Sequence, residues 1–207
     1  MIETLLKGTA VIPVLEVANI SDAKPLAHAL VKGGIKVAEL TRRTPVALDA
    51  MKAMQDAEPG LTVGMGSILN EQMVAETVEA GAAFLVSPGT PETLAKSLKQ
   101  SGLPCLPGVS TVTEALAIMA HGFTAAKFFP AEAAGGIPYL KALSGPVKNL
   151  SFCPTGGIGK DDVSRYLALK NVMCVGGSWI ATKDMIASGD WQAVADNASL
   201  ATSFAST

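Results

Sequence analysis

The stretch KVAELTRRTPVALDAMKAMQDA, residues 36–57, contains both kinds of segment from which the chain is built. Residues 36–43 form a short apolar run typical of a buried strand, and residues 44–57 repeat apolar side chains at helical spacing. Similar strand-like runs begin at Ala10, Leu61, Ala83, Pro104, Ala125, Ser151 and Val172. Many of the segments between them open on Ser, Thr or Asn and close on Gly, as helices do. The stretch TVTE, residues 111–114, has the spacing of a capping box.

These eight strand-then-helix units, spaced by roughly 20 to 25 residues, predict the fold. We expect a (β/α)8 TIM barrel of the α/β class that occupies residues 1–207 as a single domain. The residues before Ala10 are predicted to form an extra N-terminal helix, and those after about Gly189 a C-terminal one. A doubly wound open sheet is the alternative, but the stretch VLEVANISDA, residues 14–23, lacks the G-x-G-x-x-G turn common after its first strand.

The composition indicates a soluble, cytoplasmic protein. The 207 residues are 49% hydrophobic and 16% charged with a net charge of −2, which provides no broad basic surface for nucleic acid. Cys105, Cys153 and Cys174 lack CxxC spacing and lie in apolar runs, as buried reduced thiols do. The first residues lack a basic signal-peptide region, and no apolar run reaches the ~18 residues that span a membrane.

The second predicted strand places three polar side chains on one face. Glu39, Thr41 and Arg43 share a parity, so an inward-facing strand would stack them toward the carboxyl-end mouth of a barrel. The planar fork of an arginine suits a carboxylate or a phosphate. A structural ion pair between Glu39 and Arg43 is the alternative. Arg42 has the opposite parity and is predicted to point toward the helices, as a surface or interface residue.

Lys127 stands inside the apolar run AAKFFPA, residues 125–131, and shares a parity with Phe129. Burial disfavours the charged form of an amine, and a neutral amine forms a Schiff base with a ketone. Glu39, on a strand across the same barrel, would transfer the protons that this chemistry requires. The alternative is a lysine that extends its ammonium into water.

The last two predicted strands each end in a glycine pair, Gly156–Gly157 and Gly176–Gly177. Such pairs let backbone amides approach a ligand, and the loops after strands seven and eight of a barrel commonly bind phosphate. Ser178 would add a hydroxyl. A glycine pair also serves tight turns, but two pairs at these two strand ends favour an anion site.

Two other strand ends offer smaller features. The Ser67 hydroxyl, after the third strand, is placed to meet a substrate carboxylate or carbonyl. Pro88, after the fourth, would shape the floor of the pocket or simply form a turn. The strand ends carry no His, Asp and Glu cluster with metal-ligand spacing, which favours an imine over a metal-stabilised enolate.

Seven motifs in order, from about Ile12 to Trp179, resemble those of the 2-keto-3-deoxy-6-phosphogluconate (KDPG) aldolase and 4-hydroxy-2-oxoglutarate aldolase family. They are ELTRRT, GMGSILN, SPG, PGVST, KFFPAE, CPTGGI and GGSW. The resemblance implies a homotrimeric barrel that cleaves the phosphorylated keto acid to pyruvate and glyceraldehyde 3-phosphate, with no metal or cofactor.

The resemblance also implies residue roles. Lys127 would form the Schiff base and Glu39 would be the general acid/base, while Arg43 would bind the pyruvyl carboxylate. Ser67 would help to bind the carboxylate, and Pro88 and Phe129 would line the pocket. Thr155 would lie near the reacting centre. The phosphate would be held by Gly156, Gly157 and Ser178.

Two positions depart from the family pattern, which more often has Thr at Ser67 and an apolar residue at Arg42. Retention of a hydroxyl at Ser67 predicts a small effect. The substrate itself stays open among the phosphogluconate acid, its phosphogalactonate epimer and unphosphorylated 4-hydroxy-2-oxoglutarate. A non-catalytic barrel that binds phosphosugars is the alternative from another class.

Overall fold

A computed structural model describes residues 1–206 of the chain, in which parallel strands alternate with helices. The strands are β1 (Val11–Leu15), β2 (Val37–Thr41), β3 (Thr62–Gly66), β4 (Leu85–Val86), β5 (Cys105–Leu106), β6 (Gly108–Val109), β7 (Ala125–Phe128), β8 (Ser151–Pro154) and β9 (Val175–Gly177). Each of the eight strand-like runs of the sequence therefore contains a strand. Pro107 divides the fifth run into β5 and β6, since proline has no N–H to donate.

The helices are α1 (Ile2–Leu5), α2 (Ala23–Lys32), α3 (Ala47–Ala57), α4 (Glu71–Glu79), α5 (Glu92–Gln100), α6 (Val112–Ala120), α7 (Gly136–Leu143), α8 (Val163–Leu167), α9 (Lys183–Ser188) and α10 (Trp191–Ser203). Short 3₁₀ turns span Ile20–Asp22, Lys160–Asp162, Ser178–Ile180 and Phe204–Ser206. The predicted capping box is present, because Thr111 and Glu114 exchange hydrogen bonds at the start of α6. Within residues 1–206, no helix has the length and apolarity needed to cross a bilayer.

The strands form a curled parallel sheet. Six of them lie in the order β5-β4-β3-β2-β1-β9, and three others in the order β6-β7-β8. The order follows the chain from β1 to β5 and places the last strand, β9, beside the first. A doubly wound sheet has a different strand order, so that alternative is wrong.

Two cores lie on opposite faces of the sheet. The larger includes Ala38 and Leu40 of β2 with the inner faces of the helices. The smaller takes Val37 from the same strand, with Ile12, Phe84 and seven other buried residues, among them Ile2 of α1. Because side chains alternate along a strand, the smaller cluster occupies the concave face of the sheet, away from the helices. Glu39 and Lys127 share the parity of that concave face.

Candidate active site

A buried ion pair joins the two residues that the sequence analysis placed on the concave face. The Lys127 Nζ lies 3.0 Å from Oε1 and 3.3 Å from Oε2 of Glu39. The two residues are only 5% and 3% exposed, respectively. Lys127 therefore does not extend into water, and its ammonium depends on one carboxylate for its charge balance.

Glycines on β3 create the room for Glu39. In the parallel register of β2 with β3, Glu39 faces Gly64 and Thr41 faces Gly66. A Cβ atom at Gly66 would overlap the Glu39 carboxylate, so the carboxylate occupies the space that a side chain would fill. At Gly64 that space is filled by the ring of Phe84, which packs beneath the pair. The orientation of Glu39 therefore rests on a neighbour that has no side chain.

Arg43 lies just beyond β2 and reaches across to the end of β3. Its Nε donates to the Ser67 Oγ at 3.0 Å, and its Nη1 lies 3.7 Å from Oε2 of Glu16. Glu16 also pairs with Lys183, whose Nζ is 2.6 Å from Oε1. The alternative of a Glu39–Arg43 ion pair is wrong, because Glu39 pairs with Lys127 and Arg43 with Glu16.

Glu16 and Lys183 form a charged group beside Arg43 that the sequence analysis did not single out. Glu16 follows the last residue of β1 directly, so it stands at a strand end of the kind that was searched for chemistry. The position of Glu16 in VLEV, residues 14–17, was the sequence feature that could have identified it as a site residue. No such feature identifies Lys183, the first residue of α9, because its pairing with Glu16 depends on how α9 packs.

The backbone at Ser67 is held in an unusual conformation. Its φ of +59° is the only positive value at a non-glycine residue among residues 1–206. This left-handed conformation is uncommon for serine and must be maintained by surrounding contacts. The amide of the next residue, Ile68, donates to the Val86 carbonyl at 3.1 Å, which ties the turn after β3 to the end of β4. The turn aims the Ser67 hydroxyl at Arg43.

Arg42 points away from this site, as its parity predicts. It donates from Nη1 to the Met73 carbonyl at 3.2 Å and pairs through Nη2 with Glu76 of α4. The hydrogen bond from Arg42 lowers the pKa of Glu76 below its ordinary value. Arg42 therefore links the end of β2 to α4.

Phe129 directly follows β7, the strand that carries the lysine, and Pro88 lies just beyond β4. The Phe129 ring centroid is 5.4 Å from the Lys127 Nζ, within the range of a cation–π contact. Pro88 packs its backbone against Gly108, the register partner of Lys127 on β6. The buried hydroxyl of Ser87 accepts from the Gly108 amide at 3.1 Å and so fixes the Pro88 turn beside that strand.

Thr155, Gly156 and Gly157 follow β8 and form the second part of the candidate site. Thr155 is 6% exposed, and its hydroxyl occupies the space beside Gly176 on β9. Gly156 and Gly157 adopt φ values of +103° and +81°, which favour glycine. A Cβ atom at Gly156 would lie 3.3 Å from the Phe129 ring. The glycine pair therefore adjoins the aromatic ring beside Lys127.

The backbone amides of this glycine pair differ from those at the start of α6 in whether they already donate hydrogen bonds. Within residues 1–206, neither Gly156 nor Gly157 donates its amide to another residue. At α6, by contrast, the amides of Ser110 and Thr111 both donate to the Glu114 carboxylate at 2.8 Å. Burial raises the pKa of Glu114, but the hydrogen bonds from Ser110 and Thr111 outweigh it and lower the pKa overall. The start of α6 already holds its own anion, whereas the glycine pair offers open donors.

Ser178 begins the 3₁₀ turn after β9 and is exposed. It follows Gly177, which is the register partner of Pro13 on β1. The structure thus places Glu39 and Lys127 within β2 and β7, and the other predicted site residues just beyond the carboxyl ends of strands. It joins Lys127 to Glu39, and Arg43 to Ser67, by direct hydrogen bonds.

The cysteines lie outside this chemistry. All three are free and buried, and burial raises the pKa of Cys105 to about 11. A hydrogen bond with Cys153, together with burial, raises the pKa of Cys174 well above its ordinary value. The thiols of Cys105 and Cys174 are therefore protonated at neutral pH and poor nucleophiles. Within the described residues, no group of three or more His, Cys, Asp and Glu side chains is placed to hold a metal ion.

Comparison with known proteins identifies the relatives of the chain. A family model described as KDPG and KHG aldolase matches residues 2–197. The KHG/KDPG aldolase of Escherichia coli K12 is 45% identical over 192 residues, which is 93% of this chain and 90% of that protein. The 2-dehydro-3-deoxy-phosphogluconate aldolase of Dickeya dadantii is 44% identical over the same shares.

Solved structures agree with these matches. The KDPG aldolase of Legionella pneumophila, captured with pyruvate as a covalent carbinolamine, superposes with a TM-score of 0.93 at 40% identity. The superposition covers 96% of this chain and 97% of that one. The protein is therefore an aldolase, an enzyme of the lyase class. It belongs to the KDPG and KHG aldolase family.

Proposed function

We propose that Lys127 is the Schiff-base residue and Glu39 the general acid/base of this aldolase, which cleaves 2-dehydro-3-deoxy-6-phosphogluconate to pyruvate and glyceraldehyde 3-phosphate. The observation that carries the proposal is the buried pair of Lys127 Nζ and Glu39 Oε1, 3.0 Å apart. An amine and a carboxylate at this distance can exchange a proton, which leaves the amine neutral and nucleophilic.

The reaction follows from that exchange. The neutral Lys127 Nζ attacks the C2 ketone, and the carbinolamine loses water to give a protonated imine. Removal of the C4 hydroxyl proton then breaks the C3–C4 bond, and its electron pair moves into the imine as an enamine. Glyceraldehyde 3-phosphate leaves, a proton adds at C3, and water hydrolyses the imine to pyruvate and free lysine. Glu39 carries the protons in these steps.

The pyruvyl carboxylate would bind Arg43 with help from Ser67. The Arg43 guanidinium uses Nε for Ser67 and Nη1 for Glu16, which leaves Nη2 to meet an anion. Pro88 and Phe129 would form the pocket wall and Thr155 would lie near the reacting centre. The relative captured as a pyruvate carbinolamine supports the covalent step.

The phosphate would bind the amides of Gly156 and Gly157 and the hydroxyl of Ser178. The open amides of the glycine pair support this assignment. So does the KDPG aldolase of Zymomonas mobilis ZM4, solved with 3-phosphoglycerate, which superposes with a TM-score of 0.92 at 40% identity. That superposition covers 98% of this chain and 95% of that one.

We also propose that the curled sheet closes into a complete (β/α)8 barrel, a single domain of residues 1–207. Parallel bridges of Phe152 with Val172 and of Thr155 with Gly176 join β8 to β9 and so support closure on one side. On the other side, β5 and β6 belong to one run separated by Pro107 alone. The extra N-terminal helix would be α1, whose Ile2 contributes to the concave core.

A homotrimer of these barrels in the cytoplasm completes the proposal. Exposed apolar side chains such as Leu69, 60% exposed, and Leu116, 51% exposed, support burial against other copies. Light scattering would test the trimer, and the expected mass is three times that of one chain.

The location in the cytoplasm is supported by the free cysteines, because thiols stay reduced in a reducing compartment.

Unphosphorylated 4-hydroxy-2-oxoglutarate is the second candidate substrate, cleaved to pyruvate and glyoxylate. The family name and the name of the Escherichia coli relative favour it. Comparison of kcat/KM for this acid, the phosphogluconate acid and its phosphogalactonate epimer would establish the preference. Because the chain belongs to a family of aldolases, the alternative of a non-catalytic barrel that binds phosphosugars is excluded.

The decisive experiment traps the imine. The protein is mixed with pyruvate, reduced with borohydride and mapped by mass spectrometry, and a pyruvyl adduct is expected on Lys127. The matched control is Lys99→Met, because Lys99 also lies over a phenylalanine ring, 5.3 Å from the centroid of Phe123, but is exposed. Lys99→Met should keep the adduct and Lys127→Met should lose it. A folded protein without an adduct would remove the imine mechanism.

A further inference from the structure

The loop after β7 holds the glycine pair through its backbone. The Ala131 amide donates to the Thr155 carbonyl at 2.8 Å, and the Glu132 amide donates to the Gly156 carbonyl at 3.1 Å. These two bonds connect consecutive residues of one loop to consecutive residues of the other. The conformation of the glycine pair therefore depends on where Glu132 is held.

The Glu132 side chain passes along the glycine pair and ends at a buried phenol. A Cβ atom at Gly157 would lie 2.8 Å from the Glu132 Cβ, so the two residues are in close contact. The Oε1 of Glu132 accepts a hydrogen bond from the hydroxyl of Tyr166, on α8. Tyr166 is fully buried, whereas Glu132 is exposed.

A glycine also makes room for the phenol. Gly136, at the start of α7, has a φ of +54°, and a Cβ atom there would lie 3.0 Å from the Tyr166 hydroxyl. Burial and the Glu132 carboxylate raise the pKa of Tyr166 well above its ordinary value. The phenol therefore keeps its proton and donates it throughout the neutral range.

We propose that Glu132 and Tyr166 are positioning residues for the phosphate of the substrate, through their hold on Gly156 and Gly157. This inference rests on the proposed phosphate site at the glycine pair. The Tyr166 hydroxyl fixes the Glu132 carboxylate away from the open amides, and the fixed residue supports the turn. Without that hydroxyl, an exposed carboxylate beside Gly157 becomes free to turn toward the amides, where it repels a phosphate.

The test compares the phosphorylated keto acid with the same acid without its phosphate, in wild type and in Tyr166→Phe. The ratio of the two kcat/KM values should fall about tenfold in the variant, the usual effect of losing a hydrogen bond to a charged group. The change should appear in KM for the phosphorylated acid and not in kcat. A purely structural role would lower both kcat/KM values together and leave the ratio unchanged.

Three further variants separate the possibilities. Glu132→Gln keeps an acceptor for the phenol and should keep the ratio within about twofold of wild type. Glu132→Ala, at an exposed residue, loses the side-chain support of the turn but leaves no carboxylate to repel the phosphate. It should therefore lower the ratio by only about threefold, less than Tyr166→Phe, and it provides the test if the tyrosine variant does not fold. Tyr139→Phe removes the only other phenol hydroxyl, whose ring stacks on Phe128 at 5.6 Å, and should leave the ratio unchanged.

The outcomes distinguish this inference from the proposed function. An unchanged ratio in both Tyr166→Phe and Glu132→Ala would overturn the positioning role while leaving the phosphate site in place. A wild-type enzyme with no preference for the phosphorylated acid would overturn the phosphate site and the positioning role with it. In either case the borohydride adduct on Lys127 would still report separately on the imine.

Discussion

The two ends of the candidate site present different chemical groups, side-chain charges at one end and backbone amides at the other. The proposed pyruvyl end would use side-chain charges, with a lysine and a glutamate less than 6% exposed and an arginine at the rim. The proposed phosphate end would use backbone amides at a glycine pair that depends on a neighbouring loop. Covalent chemistry needs an amine whose proton can be removed, which requires a buried partner. An anion needs only donors in the right place, which a backbone supplies.

This difference determines how each end should respond to substitution. Replacing a side chain at the pyruvyl end removes a reacting group, and its effect should appear in kcat. Replacing a residue at the phosphate end changes the shape of a turn, and its effect should appear in KM for phosphorylated substrates. The predictions below test this separation.

The largest effect is expected from Lys127→Met. Loss of the nucleophile should lower kcat by at least about 10⁴-fold, as removal of a covalent catalyst does. Pyruvate release measures it, with Lys99→Met as the control and circular dichroism as the check on folding. Turnover within tenfold of wild type would mean that another group carries the chemistry.

Gly66→Ala should have the next largest effect, although the residue carries no functional group. Its Cβ atom would overlap the Glu39 carboxylate and displace it from Lys127, so kcat should fall about 10²- to 10³-fold, within the range of lost acid–base catalysis. The control is Gly60→Ala, where a Cβ atom meets nothing within 4 Å. Equal activity of the two variants would show that Glu39 tolerates displacement.

Gly157→Ala tests the phosphate end. The positive φ and the contact with Glu132 should distort the turn and raise KM for the phosphorylated acid about tenfold to a hundredfold, with a smaller change in kcat. Gly81→Ala is matched for backbone strain, because Gly81 has a φ of +84° but nothing within 4 Å of its Cβ position. A loss confined to kcat would contradict the separation of the two ends.

The smallest effect is expected from Glu16→Gln, at the rim of the pyruvyl end. Removal of a negative charge 3.7 Å from Arg43 should strengthen carboxylate binding and lower KM for the keto acid about twofold, since partly exposed ion pairs are weak. The effect should be the same with and without the substrate phosphate. A rise in KM would instead mean that Glu16 holds Arg43 in place.

Strand parity was enough to predict the two buried residues of the proposed pyruvyl end. Alternation along two strands placed Glu39 and Lys127 on one face, and the structure joins them in a pair. The pairing of Arg43 with Glu16 was not predicted, although Glu16 stands at a strand end. Lys183, which pairs with Glu16, was not predictable because its position depends on how α9 packs. The positive φ of Ser67 also depends on contacts with β4 that no local pattern reveals.

The phosphate end was predictable only in outline. The glycine pairs indicated an anion site, but the support of Gly157 by Glu132 and Tyr166 joins residues 34 positions apart on different elements. Such a contact is set by how the loop after β7 meets α8, and loop packing follows from the whole fold. Short-range signals such as the Thr111 capping box, by contrast, were predicted correctly.

Phe84, which fills the space at Gly64 beneath the lysine, bears on the order in which products depart. In the proposed reaction, the half of the substrate joined to Lys127 would lie deepest, above the concave core, and the aldehyde half would lie nearer the mouth. Glyceraldehyde 3-phosphate would therefore leave before pyruvate, which stays joined to the lysine until the imine is hydrolysed. Once the aldehyde has left, the enamine would face solvent, so pyruvate alone should exchange its methyl protons with deuterated water on this enzyme.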